Sequence, residues 1–180
     1  PADGNEVSAA YAAAIESTSH PSVIALTRQN LPQLEGSSIE NALKGGYTLI
    51  KKDNPDVIIV SSGSEVSISV AASEELAKQG VKANVVSLPD FFTFDQQSDE
   101  YRLSVLPDGV PILSVEVMST FGWSKYSHEQ FGLNRFGASG KAADLYKHFE
   151  FTPEGIAERA QKTIKYYEGK QLLSPLDRAF

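Results

Sequence analysis

Residues 56–88 of this chain, DVIIVSSGSEVSISVAASEELAKQGVKANVVSL, decide its fold class. The apolar run at 56–60 is typical of a strand that is buried on both faces of a parallel sheet. Apolar side chains then recur at helical spacing over residues 64–79, and Gly80 is the residue type that ends helices. Residues 83–88 predict a second strand. Strand, helix and strand in this order predict parallel pairing through a right-handed crossover.

The junction between the first strand and the helix reads Ser62-Gly63-Ser64-Glu65. Ser and Glu three residues apart predict a capping box, in which each side chain accepts a hydrogen bond from the backbone N–H of the other residue. The free N–H groups of a helix start also bind anions, which makes an anion site the alternative interpretation. The stretch lacks the Gly-x-Gly-x-x-Gly pattern, and the charge of Glu65 repels an anion. Capping is therefore the favoured interpretation.

The first forty residues differ in pattern from the rest of the chain. Residues 5–17 are rich in alanine, the best helix former, and predict a helix. Residues 22–26 predict a short apolar strand. Glycine and serine turns between residues 34 and 54 indicate a boundary or linker. We therefore expect residues 1–40 to end one α/β domain and residues 41–180 to form a second.

The second domain continues the alternation of strands and helices. Its other predicted elements are an edge strand at 47–51, a helix at 97–105, a buried strand at 111–117, a short helix at 142–148, and a last helix from Thr152-Pro153 to Gly169. Residues 121–140 are rich in aromatic residues and glycine and predict a loop region. The expected fold class is α/β.

Composition excludes several classes of protein. Of the 180 residues 41% are apolar, which is enough to build a core, and the net charge is −7. This acidic balance argues against a nucleic-acid partner, because phosphate binding depends on clustered Lys and Arg. The absence of cysteine excludes disulfides, thiolate zinc sites and cysteine nucleophiles. No apolar run approaches the ~20 residues that cross a membrane. Because the chain opens with Pro1 rather than methionine, we expect it to be a fragment.

The usual catalytic motifs are missing from the sequence. There is no Gly-x-Ser-x-Gly elbow, and the three histidines, His20, His128 and His148, lie in different predicted elements. No two histidines are four residues apart, as a helical metal site requires. We interpret His128 as a structural histidine. Residues 137–141 resemble half of a P-loop, but Ala142 stands where Ser or Thr must reach the metal.

Arg28 is the best candidate for a binding residue. It follows the predicted strand at 22–26, and ligands of open α/β sheets bind where strands end. A guanidinium there can grip a phosphate through two parallel hydrogen bonds. A surface arginine, or one that pairs with a carboxylate, is the alternative. The pattern of residues alone therefore predicts an α/β domain with a possible anion site, and it identifies no reaction.

Six strings in the chain resemble transketolases, most closely those of fungi. They are PADGNE (1–6), LTRQNLP (26–32), GSEV (63–66), VSLP (86–89), NRFGASG (134–140) and FTP (151–153). The resemblance covers the whole chain in order, and the one departure is Asn134, where the family has a familiar aspartate. It identifies residues 1–40 as the end of the pyrimidine-binding domain with a linker, and residues 41–180 as the C-terminal domain. The resemblance to that domain implies a three-layer fold with an open sheet, which is mainly parallel and has one antiparallel strand.

The resemblance also implies an activity for the full-length parent protein. Transketolases are cytoplasmic homodimers of the pentose phosphate pathway, which transfer a two-carbon ketol unit from a ketose phosphate to an aldose phosphate. They use thiamine diphosphate and a divalent cation, Mg²⁺ or Ca²⁺, and the cofactor supplies the difficult chemistry. The family's catalytic, cofactor-binding and metal-binding residues lie upstream of this chain. Only the arginine that binds the substrate phosphate matches a position here, Arg28. We therefore expect the fragment alone to be inactive and to bind no cofactor, while it contributes dimer contacts.

Two rival interpretations remain from the sequence. One is dihydroxyacetone synthase, which performs the same chemistry with formaldehyde but is peroxisomal. The ending Asp177-Arg178-Ala179-Phe180 lacks a peroxisomal signal and weighs against it. The other is a stand-alone regulatory α/β module that binds an anion at Ser62–Glu65.

Overall fold

A computed structural model describes residues 1–177 of the chain. Residues 178–180, which contain most of the ending considered above, lie outside the described part. The core is one five-stranded sheet with the order β1-β3-β2-β4-β5. Its strands are β1 Tyr47–Ile50, β2 Val57–Ser61, β3 Ala83–Ser87, β4 Ile112–Glu116 and β5 Glu129–Gly132. Edge strand β1 runs antiparallel to β3, and all other pairs are parallel. The mainly parallel sheet with one antiparallel strand is thereby confirmed.

Strand β2 lies at the centre of the sheet because its side chains are apolar on both faces. All five of its residues are buried, and Ile59 stands opposite Val85 of β3 and Leu113 of β4. β-Branched side chains pack well on such a two-sided pleated surface. The apolar run at 56–60 therefore sets the middle of the sheet, as the sequence predicts.

Helices cover both faces of the sheet and complete three layers. They are α1 Gly4–Glu16, α2 Ile39–Ala42, α3 Glu65–Lys78, α4 Phe91–Asp95, α5 Asp99–Val105, α6 Ala142–His148 and α7 Pro153–Tyr167, with a 3₁₀ turn at Trp123–Lys125. Ile59 faces α3 and α7 in one buried cluster. Ile58 faces Phe94 of α4 and Val105 of α5 in the other. Alternate residues of β2 thus point to opposite layers, as the period of a strand requires.

The start of α7 confirms the predicted cap. The Thr152 hydroxyl accepts a hydrogen bond from the N–H of Gly155 at 3.1 Å, and Pro153 occupies the first turn. Proline suits this position because the first N–H groups of a helix have no partner within the helix. Among residues 1–177 no helix is both long enough and apolar enough to span a membrane.

The structure corrects the sequence analysis at two elements. The strand predicted at 22–26 is wrong: residues 21–27 have irregular backbone, and Val23 is 94% exposed. A strand is stable only when a neighbouring strand pairs with its backbone, and none of the described strands lies beside it. Strand β5 was missed inside the loop region predicted at 121–140. It is only four residues long, and Phe131 is its one buried side chain, so its pattern is too short to detect.

The start of the chain docks onto the antiparallel edge of the sheet. Ala2 and Ala9 share a buried cluster with Tyr47 and Leu49 of β1 and with Val85 of β3. This packing is reinforced by the carboxylate of Asp3, which caps α1. It also accepts hydrogen bonds from the side chains of Gln33 and Ser37 and from the N–H of Leu34. The first helix and the connection that follows it are thus attached to the same sheet.

Candidate functional site

Arg28 lies in an exposed loop formed by residues 27–32, which we call the Arg28 loop. The N–H of Gln29 lies 3.5 Å from the Thr27 hydroxyl, a long hydrogen bond inside the loop. Within residues 1–177 no carboxylate forms an ion pair with Arg28. The loop therefore presents an exposed guanidinium that no carboxylate of the described chain neutralises.

The Arg28 loop lines a groove of about 280 Å³ together with residues of α3 and α6. One wall of the groove is the second half of the loop, from Gln29 to Pro32. The opposite wall comes from the start of α3, at Ser64 and Ser67, and from Tyr146 on α6. The Arg28 loop and the start of α3 thus share a surface that contains several polar side chains.

The polar side chains of this surface continue to the carboxyl ends of β2 and β4. Ser62 follows β2, and Glu116 ends β4, its parallel neighbour. From β2 the chain crosses through α3 to β3 on one side, and it later returns to β4 on the other side. Ligands of open α/β sheets bind at such a change of direction. Sequence reasoning missed Glu116, because its pairing with the helix start depends on which strands are neighbours.

The predicted capping box at Ser62–Glu65 is wrong. The Ser62 hydroxyl donates to Oε2 of Glu116 at 2.9 Å, and the Glu65 N–H reaches only the backbone carbonyl of Ser62, at 3.3 Å. Ser64 is the N-cap residue, and its side chain makes no capping hydrogen bond. Glu65 is turned inward, where Oε1 accepts hydrogen bonds from the Ser64 hydroxyl at 2.7 Å and the Tyr146 hydroxyl at 3.3 Å. Two carboxyl groups therefore occupy the place where the rival interpretation puts an anion.

Burial controls the proton on Glu65. It raises the pKa of Glu65 to about 7; the Ser64 hydrogen bond opposes this shift, and the negative charge of Glu116 adds to it. Burial, followed by the charge of Glu65, also raises the pKa of Tyr146. A proton on Glu65 allows the two carboxyls to hydrogen-bond instead of repelling each other. Burial therefore favours the protonated form of Glu65 at pH values where an exposed glutamate is ionised.

A second, wider groove of about 840 Å³ lies beyond Tyr146. Its lining is mostly apolar and includes Met118, Phe136 and Phe149. The half P-loop at 137–141 forms part of its rim and precedes α6, which starts at Ala142. No grouping of three or more His, Asp or Glu side chains suited to a metal occurs within residues 1–177.

His128 and Asn134 have structural partners. Nδ1 of His128 accepts from the N–H of Ile112 at 3.0 Å, so Nε2 carries the proton and donates to the carbonyl of Leu173 at 2.9 Å. Burial lowers the pKa of His128, and both ring nitrogens are bound to backbone groups, as expected of a structural histidine. Asn134 accepts from the Thr120 N–H at 3.1 Å and pairs its amide with the Thr120 hydroxyl at 3.0 Å. An ionised aspartate has no donor for that second bond.

A family model described as the transketolase-like TK C-terminal domain matches residues 45–152, more than half of the chain. The chain belongs to the transketolase family. Over its full length it is 99% identical to Transketolase 1 of Candida albicans and 72% identical to the transketolase of Scheffersomyces stipitis. It spans 27% of the length of each of these two relatives. The similarity supports a transketolase fragment and not the rival interpretations.

Solved structures agree with the family assignment. The crystal structure of the Pichia stipitis transketolase in complex with sedoheptulose 7-phosphate matches 100% of this chain and 27% of its own chain, with a TM-score of 0.98 and 72% identity. The transketolase of Leishmania mexicana matches 95% of this chain and 25% of its own, with a TM-score of 0.91 and 42% identity. The mixed sheet and its helical layers are therefore the fold of this part of transketolases.

Proposed function

We propose that this chain acts as the C-terminal part of a transketolase, and that Arg28 binds the terminal phosphate of the sugar substrate. The full-length enzyme would transfer a two-carbon ketol unit from a ketose phosphate to an aldose phosphate. Family membership supports the activity, and a transketolase 72% identical to this chain was crystallised with sedoheptulose 7-phosphate. For Arg28, the supporting observation is its exposed guanidinium without a carboxylate partner within residues 1–177.

The chemistry of arginine suits this role. A guanidinium has five N–H donors in a rigid fork, which matches two oxygens of a phosphate. Each charge-assisted hydrogen bond contributes about 1.5–3 kcal/mol. Gln29 and Asn30 follow directly and offer amide donors for further oxygens. Binding at this loop would orient the sugar without any chemistry by Arg28 itself.

We place the cofactor site outside this chain. Thiamine diphosphate and a divalent cation, Mg²⁺ or Ca²⁺, are the cofactors that the family implies for the full-length enzyme. The resemblance to the family puts the residues that bind them upstream of this chain, and residues 1–177 contain no group of three or more His, Asp or Glu side chains placed to hold a metal ion. We therefore assign no step of the reaction to a cofactor on this chain, and we propose that the chain is inactive without the rest of the enzyme.

We also propose that the full-length protein is a cytoplasmic homodimer. Support for a covered surface comes from Met118 and Phe136, two exposed apolar side chains that line the same groove; Phe136 is 96% exposed. Contiguous apolar patches on a protein surface mark sites of interaction with other chains or domains. The location is proposed from the family alone.

Replacing Arg28 in the full-length enzyme tests the phosphate role. We expect Arg28→Ala to raise KM for ribose 5-phosphate by about 10- to 100-fold, the equivalent of one or two charge-assisted hydrogen bonds, with little change in kcat. The reason is that the phosphate is bound equally in the ground state and the transition state. Steady-state kinetics of each variant measures both constants.

Lys51→Ala is the matched control, because Lys51 is an exposed cation outside the Arg28 loop. It should leave KM unchanged. An unchanged KM for ribose 5-phosphate in Arg28→Ala would contradict the proposed role of Arg28.

A further inference from the structure

We propose that Asp3 is a positioning residue for Arg28, because its buried carboxylate holds the end of the Arg28 loop. This inference rests on the proposed function of Arg28 and extends it to a residue at the start of the chain. Asp3 belongs to the string PADGNE at residues 1–6 and is the N-cap residue of α1. It would touch neither the sugar nor a cofactor, and it would act on substrate binding through the loop alone.

The Asp3 carboxylate is buried and accepts four hydrogen bonds. Its residue is only 5% exposed. Oδ1 accepts from the N–H of Glu6 and from the Ser37 hydroxyl, both at 3.0 Å. Oδ2 accepts from the side-chain amide of Gln33 at 2.7 Å and from the N–H of Leu34 at 3.1 Å. A buried carboxylate needs such donors, so Oδ2 firmly binds the two residues that directly follow the Arg28 loop.

Asp3 is itself fixed to the central sheet through its neighbours. The N–H of Ala2 donates to Oε2 of Glu6 at 2.6 Å, and Ala2 is 1% exposed. Oε1 of Glu6 accepts from the hydroxyl of Tyr47 on β1 at 2.9 Å and from that of Ser87 on β3 at 2.6 Å. Because Asp3 lies between Ala2 and Glu6 in the chain, these contacts fix the place from which its carboxylate binds.

The connection from Gln33 back to Arg28 is short and partly stiff. Gln33 directly follows Pro32, the last residue of the Arg28 loop. The proline ring fixes its own φ angle and also restricts the backbone of the preceding residue, Leu31. Residues 29–30 are all that separates this stiff pair from Arg28. A displacement of Gln33 would therefore also displace Arg28.

The chain on the other side of the Arg28 loop offers weaker support. Residues 21–27 have irregular backbone, and Val23 is 94% exposed. The side of the loop that Asp3 binds is therefore the anchored one. Without that anchor, Arg28 would spend part of its time away from the phosphate.

The test is the variant Asp3→Asn in the full-length enzyme. Asparagine keeps an oxygen that can cap α1, but the amide group that replaces Oδ2 is a donor and cannot accept the Leu34 N–H. We expect KM for ribose 5-phosphate to rise about 3- to 10-fold with kcat unchanged, as for a loop that is in place about a third to a tenth of the time. KM for unphosphorylated D-ribose should not change, because that substrate has no phosphate for Arg28. In an Arg28→Ala background, Asp3→Asn should have no further effect on KM.

Asp90→Asn is the matched control. Asp90 caps α4 through the same kind of contact, since its Oδ1 accepts from the N–H of Thr93 at 3.1 Å. This variant should leave KM unchanged for both sugars. If Asp3→Asn fails to fold, Gln33→Ala removes one of the contacts from the loop side at an exposed residue, and it should raise KM for ribose 5-phosphate alone.

Three outcomes would contradict these expectations. Equal effects of Asp3→Asn on ribose and ribose 5-phosphate, or an additive effect with Arg28→Ala, would overturn the positioning role. If Arg28→Ala itself leaves KM unchanged, the proposed function fails. If Arg28→Ala raises KM while Asp3→Asn and Gln33→Ala do not, this inference alone fails.

Discussion

At the scale of single residues, Glu6 is the most deeply buried acidic side chain of the described chain. It is 2% exposed and accepts three hydrogen bonds, from the Ala2 N–H, the Tyr47 hydroxyl and the Ser87 hydroxyl. A buried carboxylate is tolerated only when its oxygens are satisfied in this way. The same burial, together with the charge of Glu6, raises the pKa of Tyr47 far above its usual range. Glu6 thus joins the first helix to β1 and β3.

We expect Glu6→Ala to lower the free energy of unfolding of this chain by about 2–4 kcal/mol, because the hydroxyls of Tyr47 and Ser87 lose their acceptor inside the protein. Urea unfolding, followed by circular dichroism, measures the change. Glu16→Ala, at the exposed end of the same helix, is the control and should change stability by less than about 0.5 kcal/mol. Equal stability of both variants would contradict this account of Glu6.

At the scale of elements, the junction of β2, α3 and β4 carries the main electrostatic feature. Glu65 starts α3 and meets Glu116 at the end of β4, so two carboxyls lie where the sheet changes direction. The pKa of Glu65 is raised from 4.5 to about 7, chiefly by burial. The folded state therefore keeps the Glu65 proton to a higher pH than the unfolded state does.

The raised pKa of Glu65 makes the free energy of unfolding depend on pH. Because the folded pKa lies above the unfolded one, the contribution of Glu65 is fully present below about pH 4.5 and is lost as pH rises through about 7. We expect the natural chain to lose stability relative to Glu65→Gln as pH rises. Its free energy of unfolding, measured against that of the variant, should fall by up to about 3 kcal/mol from pH 4.5 to pH 9. Urea unfolding at several pH values measures it.

Glu74→Gln, on the exposed side of α3, is the matched control for that series. Its stability difference from the natural chain should be nearly independent of pH above about pH 6, because the Glu74 side chain is exposed to water in the folded and the unfolded state alike. A pH-independent difference for Glu65→Gln would show that the Glu65–Glu116 pair shares no proton.

At the scale of the whole molecule, two apolar layers hold the sheet between its helices. Phe131 of β5 stacks on Phe151 with ring centroids 4.2 Å apart and planes within 8°. Phe151 precedes α7, so this stack joins the last parallel strand to the last helix. Arg159 lies over the other side of the Phe131 ring, at 3.9 Å from its centroid. The C-terminal helix is thereby fixed to the edge of the sheet.

We expect Phe151→Ala to destabilise the chain by about 3–5 kcal/mol, because it leaves a cavity in the buried layer. Phe151 is 2% exposed, whereas Phe121, the control, is 93% exposed. Phe121→Ala should change stability by less than about 0.5 kcal/mol. Thermal unfolding of both variants measures the contrast. Similar shifts in Tm would show that the stack does not support the fold.

Much of the fold follows from local patterns in the sequence. The apolar runs at β2, β3 and β4 predict buried parallel strands, and the Thr152-Pro153 pair predicts the start of α7. Each signal is complete within a few residues, which is why sequence reasoning detects it. Arg28 was also selected from sequence, although the strand predicted before it does not form. The resemblance to transketolases, and not spacing, suggests the role that we propose for that arginine.

Local patterns fail where the outcome depends on distant partners. Ser62 and Glu65 have the spacing of a capping box, yet Glu116, 54 residues beyond Ser62, takes the Ser62 hydroxyl instead. The pairing of β2 with β4 brings this carboxylate to the helix start, and no window of sequence contains both. Glu65, which accepts a hydrogen bond from the Tyr146 hydroxyl, is likewise distant from it along the chain. The sequence by itself determined the α/β class and the family of this protein, because those depend on local periodicity and contiguous motifs. Only the tertiary structure decided which polar groups meet at the sheet's carboxyl edge, because strand order places them there.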